Sequence, residues 1–195
     1  MTDFGAGSRV FTSNQRRIKD IARYAGATQK RMQLLHRISN YFNPENTLEI
    51  GTSLGMGTVA LSIESTAKII SLEGCPETTG IATKQLQNFN ITNAYIKVGE
   101  FDKNIKKFAS QNFDLIYFDG NHSKKATLAY VQSLLPTVTN NTLWIFDDIH
   151  WSPEMTEAWE HIKELPEVTA TIDCFWLGFV FFRREQKKEH FYSTI

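Results

Sequence analysis

The sequence predicts an α/β fold: an open, doubly wound, mostly parallel seven-stranded sheet, with an antiparallel last strand and helices on both faces. Three observations predict it. Five short apolar runs between residues 47 and 146 alternate with segments of helical period. Two further runs, 168–175 and 177–184, are joined so closely around Trp176 that only an antiparallel pairing suits them, because a parallel one needs a crossover. Acids recur where the strands of such a sheet would end, at Glu49, Glu73, Glu100, Asp119 and Asp147-Asp148. A carboxylate beside a core is costly without a partner, and ligands in these sheets bind beyond the carboxyl ends of the strands.

Each element has its own local cause. Residues 3–8, Asp-Phe-Gly-Ala-Gly-Ser, follow no strand and precede no helix, so they read either as a loop over the site or as a disordered leader. Ser13 caps a helix running to Gly26, with Ile18, Ile21, Ala22 and Ala25 on one face. Thr28 caps a second helix, ending near Phe42, whose buried side is Leu34, Leu35, Ile38, Tyr41 and Phe42. Pro44 stops it. Strand 47–50 then turns through Gly51, Gly55 and Gly57 into a helix over 58–63. Residues 68–73 form a second buried strand, and Pro76 opens a helix of about 14 residues. A third strand, 94–98, exits through Gly99-Glu100 into a short helix over 101–109. The fourth strand, 113–118, ends at Asp119-Gly120-Asn121-His122, and the next helix begins at His122 or Ser123 and stops before Pro136. The fifth strand, 142–146, ends at Asp147-Asp148. Ser152-Pro153-Glu154 supplies a cap, a proline and an acid, the ingredients of a helix start.

At 195 residues the chain is expected to be one domain, 1–195, with an N-terminal loop and helices (1–45) as a lid or dimer region and a core over 46–195. Hydrophobic content of 42% and charged content of 22% are ordinary for a soluble globular chain. A net charge of zero advertises neither nucleic acid nor membrane. The distribution is uneven: residues 1–40 hold Arg9, Arg16, Arg17, Lys19, Arg23, Lys30, Arg31 and Arg37 against Asp3 and Asp20. That excess reads as a solvated face or as a patch for an anionic partner. Two cysteines without metal spacing, no membrane-length run and no signal pattern lead to an expectation of a reducing cytoplasm.

The stretch 47–58, Thr-Leu-Glu-Ile-Gly-Thr-Ser-Leu-Gly-Met-Gly-Thr, makes a ligand cradle, because glycines let the backbone approach a ligand and a helix start leaves N–H groups free. Its spacing, E-x-G-x-x-x-G-x-x-T, differs from the dinucleotide fingerprint. Glu73, about 20 residues on, suits ribose hydroxyls, which dinucleotides and S-adenosylmethionine share. Asp119, Asp147 and Asp148 lie at the ends of neighbouring strands and would repel unless a cation sits among them. Hard oxygen ligands without cysteine suit Mg²⁺, Mn²⁺ or Ca²⁺; the bland alternative is one aspartate capping a helix and another solvated. His122 is the candidate base for a hydroxyl proton, with His150 second.

Taken together, Asp-Phe-Gly-Ala-Gly-Ser (3–8), Leu-Glu-Ile-Gly-Thr-Ser-Leu-Gly (48–55), Leu-Glu-Gly-Cys-Pro-Glu (72–77), Asp-Gly-Asn-His (119–122) and Phe-Asp-Asp-Ile-His-Trp-Ser-Pro-Glu-Met (146–155) resemble class I S-adenosylmethionine-dependent methyltransferases of the small-molecule O-methyltransferase type, most closely methyltransferase family 24. The resemblance runs nearly end to end and implies a Rossmann-like sheet. It implies that Glu49, Gly51, Ser53 and Gly55 hold the methionine end of S-adenosylmethionine, Glu73 the ribose, and Gly99 and Glu100 the adenine, with Asp119 beside the cofactor. It implies Mg²⁺ on Asp119, Asp147 and Asp148. Catechol-type relatives carry a lysine base where this chain has His122, a departure that points to a different substrate. Relatives are also expected to have a longer N-terminal region, part of a lid or dimer surface. The expected partner is a small-molecule methyl acceptor, with no membrane and a homodimer as a further expectation. A nucleic-acid methyltransferase and a cofactor-binding scaffold without turnover are the alternatives.

Overall fold

The structure is a computed structural model that describes residues 17–24, 26 and 28–194. Its elements run α1 (Ile18–Tyr24), α2 (Gln29–Phe42), β1 (Asn46–Ile50), α3 (Met56–Ser62), β2 (Lys68–Glu73), α4 (Pro76–Asn88), β3 (Ala94–Val98), α5 (Phe101–Phe108), β4 (Leu115–Phe118), α6 (Lys124–Leu134), β5 (Leu143–Asp147), α7 (Pro153–Glu164), β6 (Ala170–Asp173), β7 (Leu177–Phe181) and β8 (Glu189–Tyr192). They form one eight-stranded sheet in the order β3-β2-β1-β4-β5-β7-β6-β8. β7 is antiparallel to both of its neighbours, β5 and β6, and the other pairings are parallel.

The sheet is therefore doubly wound as expected, with one strand more than seven. The extra strand, β8, pairs in parallel with β6, so the strand that runs against the others is β7 and not the last. β8 is a short edge strand with Phe191 and Tyr192 exposed, and edge strands do not need the apolar alternation that marks buried ones.

Local causes match most of the expected boundaries. The Thr28 hydroxyl accepts from the Arg31 amide and starts α2, while Asn43 in the left-handed region ends it. Pro76 sits at the start of α4, and Ser152 followed by Pro153 starts α7. β4 begins two residues later than 113, because the Asp114 carboxylate turns away to accept from the amides of Glu45 and Asn46, each at 2.9 Å. The Ser13 helix start and the 3–8 loop lie outside the described residues. Of the face expected for α1, Ile21 is buried, whereas Ile18 and Ala22 are exposed. Tyr41, expected on the buried side of α2, is 83% exposed and packs edge-on against Phe42 instead.

Strand alternation divides the interior into two layers. Leu48, Ile50, Ile116, Phe118, Trp144 and Phe146 face α5, α6 and α7, with Phe118 and Phe146 stacked at 4.2 Å between centroids. Ile69, Leu115, Tyr117, Leu143 and Ile145 face α2 and α3, where Leu35 and Leu61 cover them. Among the described residues, no helix is long and apolar enough to cross a membrane.

Candidate functional site

The same alternation builds the site. Glu49 pairs in register with Ser71 and with Tyr117, and Tyr117 with Ile145. Advancing by two from these positions gives Glu73, Asp119 and Asp147. These groups therefore share the sheet face that α2 and α3 cover, at its carboxyl end. Backbone outliers gather there too: Ser53, Asn121, Asp148 and Phe175 all have positive φ. Such conformations cost energy and persist where the surroundings impose them.

The half of the rim at β1, β2 and β3 is organised by two glutamates. Glu49 is fully buried beneath the glycine turn and not on the open rim. Its Oε2 accepts from Thr58 and Ser71, and its Oε1 has no partner among the described residues. Gly57 must lack a Cβ, which would lie 2.6 Å from that Oε1. Burial pushes the Glu49 carboxyl up to about 7, against the hydrogen bonds of Ser71 and Thr58. Gly51 has a φ of 107°, and a Cβ there would strike the Asp119 carbonyl oxygen, so the turn passes hard against the end of β4. Gly55 opens α3 in the left-handed region and abuts Ala82 of α4.

Glu73 fastens the turn to β2: one carboxylate oxygen accepts from the Ser53 amide and the other from the Cys75 amide, both at 2.7 Å. Burial raises its pKa and these amides oppose the rise. Each oxygen has a second lone pair for a hydroxyl donor. Gly99, with φ 133°, donates to the Glu73 carbonyl. Beside it lies the Asn104 side-chain nitrogen, buried and without a partner. Glu100 starts α5, but its side chain is exposed and tied to Lys103 at 2.8 Å.

The half at β4 and β5 gathers the three aspartates as expected. Asp119 and Asp147 lie side by side at the ends of neighbouring strands. Burial, and then the facing Asp147, raises Asp119 well above the carboxylate range; Asp147 is raised by burial and by Asp148. Tyr117 lies beneath and donates to Asp147 at 3.3 Å. Burial and the charges of Asp119 and Asp147 lift its phenol well above 10. His122 sits on the rim, its Nε2 3.7 Å from an Asp119 oxygen.

The positive charge among these acids comes from the chain itself. The guanidinium of Arg31, in the first turn of α2, meets both Asp147 oxygens at 2.9 and 3.0 Å and Asp148 at 3.2 Å. Its other neighbour is the Trp176 ring, 5.1 Å away. Burial works against the Arg31 charge, but Asp147 and Asp148 outweigh it. Arg31, Tyr117, Asn104 and Trp176 were not singled out from sequence as site residues. Arg31 was legible only as one of eight N-terminal cations.

His150 has a different task from the one considered for it. Its ring nitrogens are engaged by Thr156 at 3.1 Å and Asp173 at 2.9 Å. Asp173 also holds the Trp159 indole and the Phe175 amide. This network fixes the 173–176 loop, whose Trp176 carbonyl accepts from the Asp148 amide.

The expected Mg²⁺ does not fit this arrangement. Among the described residues, no three histidine, cysteine or acidic side chains are grouped to hold an ion, and Arg31 occupies the two acids of β5. S-adenosylmethionine does fit: unspent buried polar atoms at Glu49 and Asn104 flank a turn that comes too close to β4 to carry a Cβ at Gly51.

Of the comparisons with known proteins, one shows the family. The family described as a methyltransferase domain, methyltransferase family 24, matches residues 48–149, more than half of the chain. No curated protein matches it. Among solved structures, the fold is similar to cofactor-bound Rv0187 from MTB, with 18% identity, TM-score 0.70, and coverage of 80% of this chain and 81% of that one. It is similar to the O-methyltransferase from Bacillus cereus in complex with SAH, with 18% identity, TM-score 0.69, and coverage of 80% and 83%. It is also similar to the SAH-bound Podospora anserina methyltransferase PaMTH1, with 15% identity, TM-score 0.70, and coverage of 80% and 79%. At these identities the structures speak for the fold, and the family match for the kinship. The chain belongs to methyltransferase family 24 and has the class I methyltransferase fold.

Proposed function

We propose that this protein is an S-adenosylmethionine-dependent O-methyltransferase acting on a hydroxyl of a small molecule. The observation that carries the reading is the run of polar groups at one end of the sheet: buried atoms of Glu49 and Asn104 without a partner among the described residues lie in the β1–β3 half, beside the cluster of Arg31, Asp119, Asp147 and His122 in the β4–β5 half. Solved proteins of similar fold bind a cofactor or SAH, which supports the choice of ligand.

The cofactor, when bound, supplies an activated methyl group that leaves as the sulfonium becomes a thioether. The chain's own residues do the rest. Gly51, Ser53 and Gly55 shape the turn under the methionine end, and Glu49 stiffens it from below. Glu73 offers its free lone pairs to the ribose, and Gly99, Glu100 and Asn104 border the adenine. Asp119 would lie beside the bound cofactor. His122 takes the proton from the acceptor hydroxyl as the new oxygen–carbon bond forms. Most of the acceleration comes from alignment. No step runs through a divalent ion.

Calorimetry with S-adenosylhomocysteine and a turnover assay over a panel of hydroxyl acceptors test the reading. Expected are saturable binding by the folded wild type and turnover that collapses in His122→Ala while product binding persists. A folded wild type that binds no S-adenosylhomocysteine would end the proposal.

A further inference from the structure

We propose that the guanidinium of Arg31 is the resident cation of the acceptor half, in the place where a divalent ion was expected. The inference rests on the O-methyltransferase reading for its catalytic meaning, but its geometry stands alone. Asp147 is 4% exposed, so its charge must be met from within the protein. Arg31 meets it through both carboxylate oxygens and reaches Asp148 with its second terminal nitrogen. One terminal nitrogen spans both Asp147 oxygens and the other reaches a second acid, and charge-assisted hydrogen bonds of this kind are stronger than neutral ones.

Arg31 is also held from behind. Its amide is the one that Thr28 caps, and Leu35, one turn on, is fully buried against the sheet. The Trp176 ring covers the guanidinium, and the Trp176 carbonyl holds the Asp148 amide, so one loop fixes the cation and one of its two acids. A divalent ion on Asp147 and Asp148 would have to displace Arg31 or share their oxygens with it, placing like charges within a few ångströms in a partly buried pocket. A guanidinium carries five donors. Fixed at this point, it can orient an acceptor oxygen by hydrogen bonding, where a metal would have ligated it.

The test uses the intact protein and Mn²⁺ as probe, with free Mn²⁺ followed by electron paramagnetic resonance. Wild type is expected to leave Mn²⁺ free, and Arg31→Ala to bind it on the order of tenfold tighter or more, because the bared acids then need a counter-ion. Arg31→Ala/Asp147→Asn should lose that gain. If Arg31→Ala does not fold, Arg31→Met, which keeps the stem's packing, takes its place. Wild type binding Mn²⁺ as tightly as the variant, or a folded variant with no gain, would overturn the assignment. So would wild-type turnover that EDTA abolishes and Mn²⁺ restores. S-adenosylhomocysteine calorimetry on wild type reports separately on the methyltransferase reading: its failure with the Mn²⁺ pattern intact would remove the activity and leave the cation in place.

Discussion

The two halves of the rim bury acids of the same kind at the same ends of parallel strands and handle them in opposite ways. In the β1–β3 half, Glu49 and Glu73 meet no cation among the described residues; hydroxyls and backbone amides hold them, and burial keeps both protonated more readily than in water. In the β4–β5 half, Asp147 and Asp148 share one guanidinium, and burial beside Asp147 raises Asp119 well above the carboxylate range. The first half keeps hydrogen-bonding capacity for an arriving ligand. The second has met most of its charge internally and offers an oriented, nearly balanced pocket. The difference teaches that an acid at a strand end announces a site without saying which counter-charge it uses.

The largest effect should come from breaking the charged half. Arg31→Ala strands Asp147 in the interior and should cost about 4 kcal/mol of unfolding free energy in urea melts. Adding Asp147→Asn should return much of that loss, and simple additivity of the two changes would mean that the pair is not coupled.

The uncharged half should respond to pH. Glu49 ionises near 4.5 when unfolded and about 7 when folded, so between these values the unfolded chain binds fewer protons. Stability contributed by neutral Glu49 is present below 4.5 and lost as pH rises towards 7, by roughly 3 kcal/mol. Glu49→Gln should lack this part of the slope in melts taken from pH 4.5 to 8. An unchanged slope would show that the buried carboxyl is not what titrates.

A smaller change sharpens the ligand side of the comparison. Asn104→Ala removes a buried donor without a partner among the described residues. Calorimetry should show S-adenosylhomocysteine binding weakened about tenfold while stability moves by less than about 1 kcal/mol. Equal loss in both would make Asn104 structural. The smallest effect belongs to an exposed control. Glu157→Gln breaks the 2.7 Å pair with Lys124 that bridges α6 and α7, and should shift stability by no more than about 0.5 kcal/mol, an effect that salt erases.

Much of the fold was legible because its central strands are buried on both faces and several of its helices carry explicit caps. The runs at 68–73 and 94–98 are bounded as read, and Thr28, Pro76 and Ser152 start their helices. β8 was not legible, since Glu-His-Phe-Tyr on an edge carries no apolar signature. The rim acids were legible from their repeated position. Their counter-charge was not, because Arg31 and Asp147 are 116 residues apart and only the docking of α2 joins them. Tyr117 was hidden in the apolar run Leu115-Ile116-Tyr117-Phe118, where one hydroxyl among buried side chains reads as core. The charge asymmetry of residues 1–40 was visible, but it suggested an outside partner, whereas Arg31 serves the chain's own acids.

The most direct measurement is a crystal structure of the protein grown with S-adenosylhomocysteine and Mn²⁺. The account predicts ligand density from the Gly51–Gly55 turn past Glu73 to Gly99, its sulfur facing Asp119, and the Arg31 side chain between Asp147 and Asp148. An empty turn, or a metal peak on Asp147 with Arg31 swung away, would contradict it.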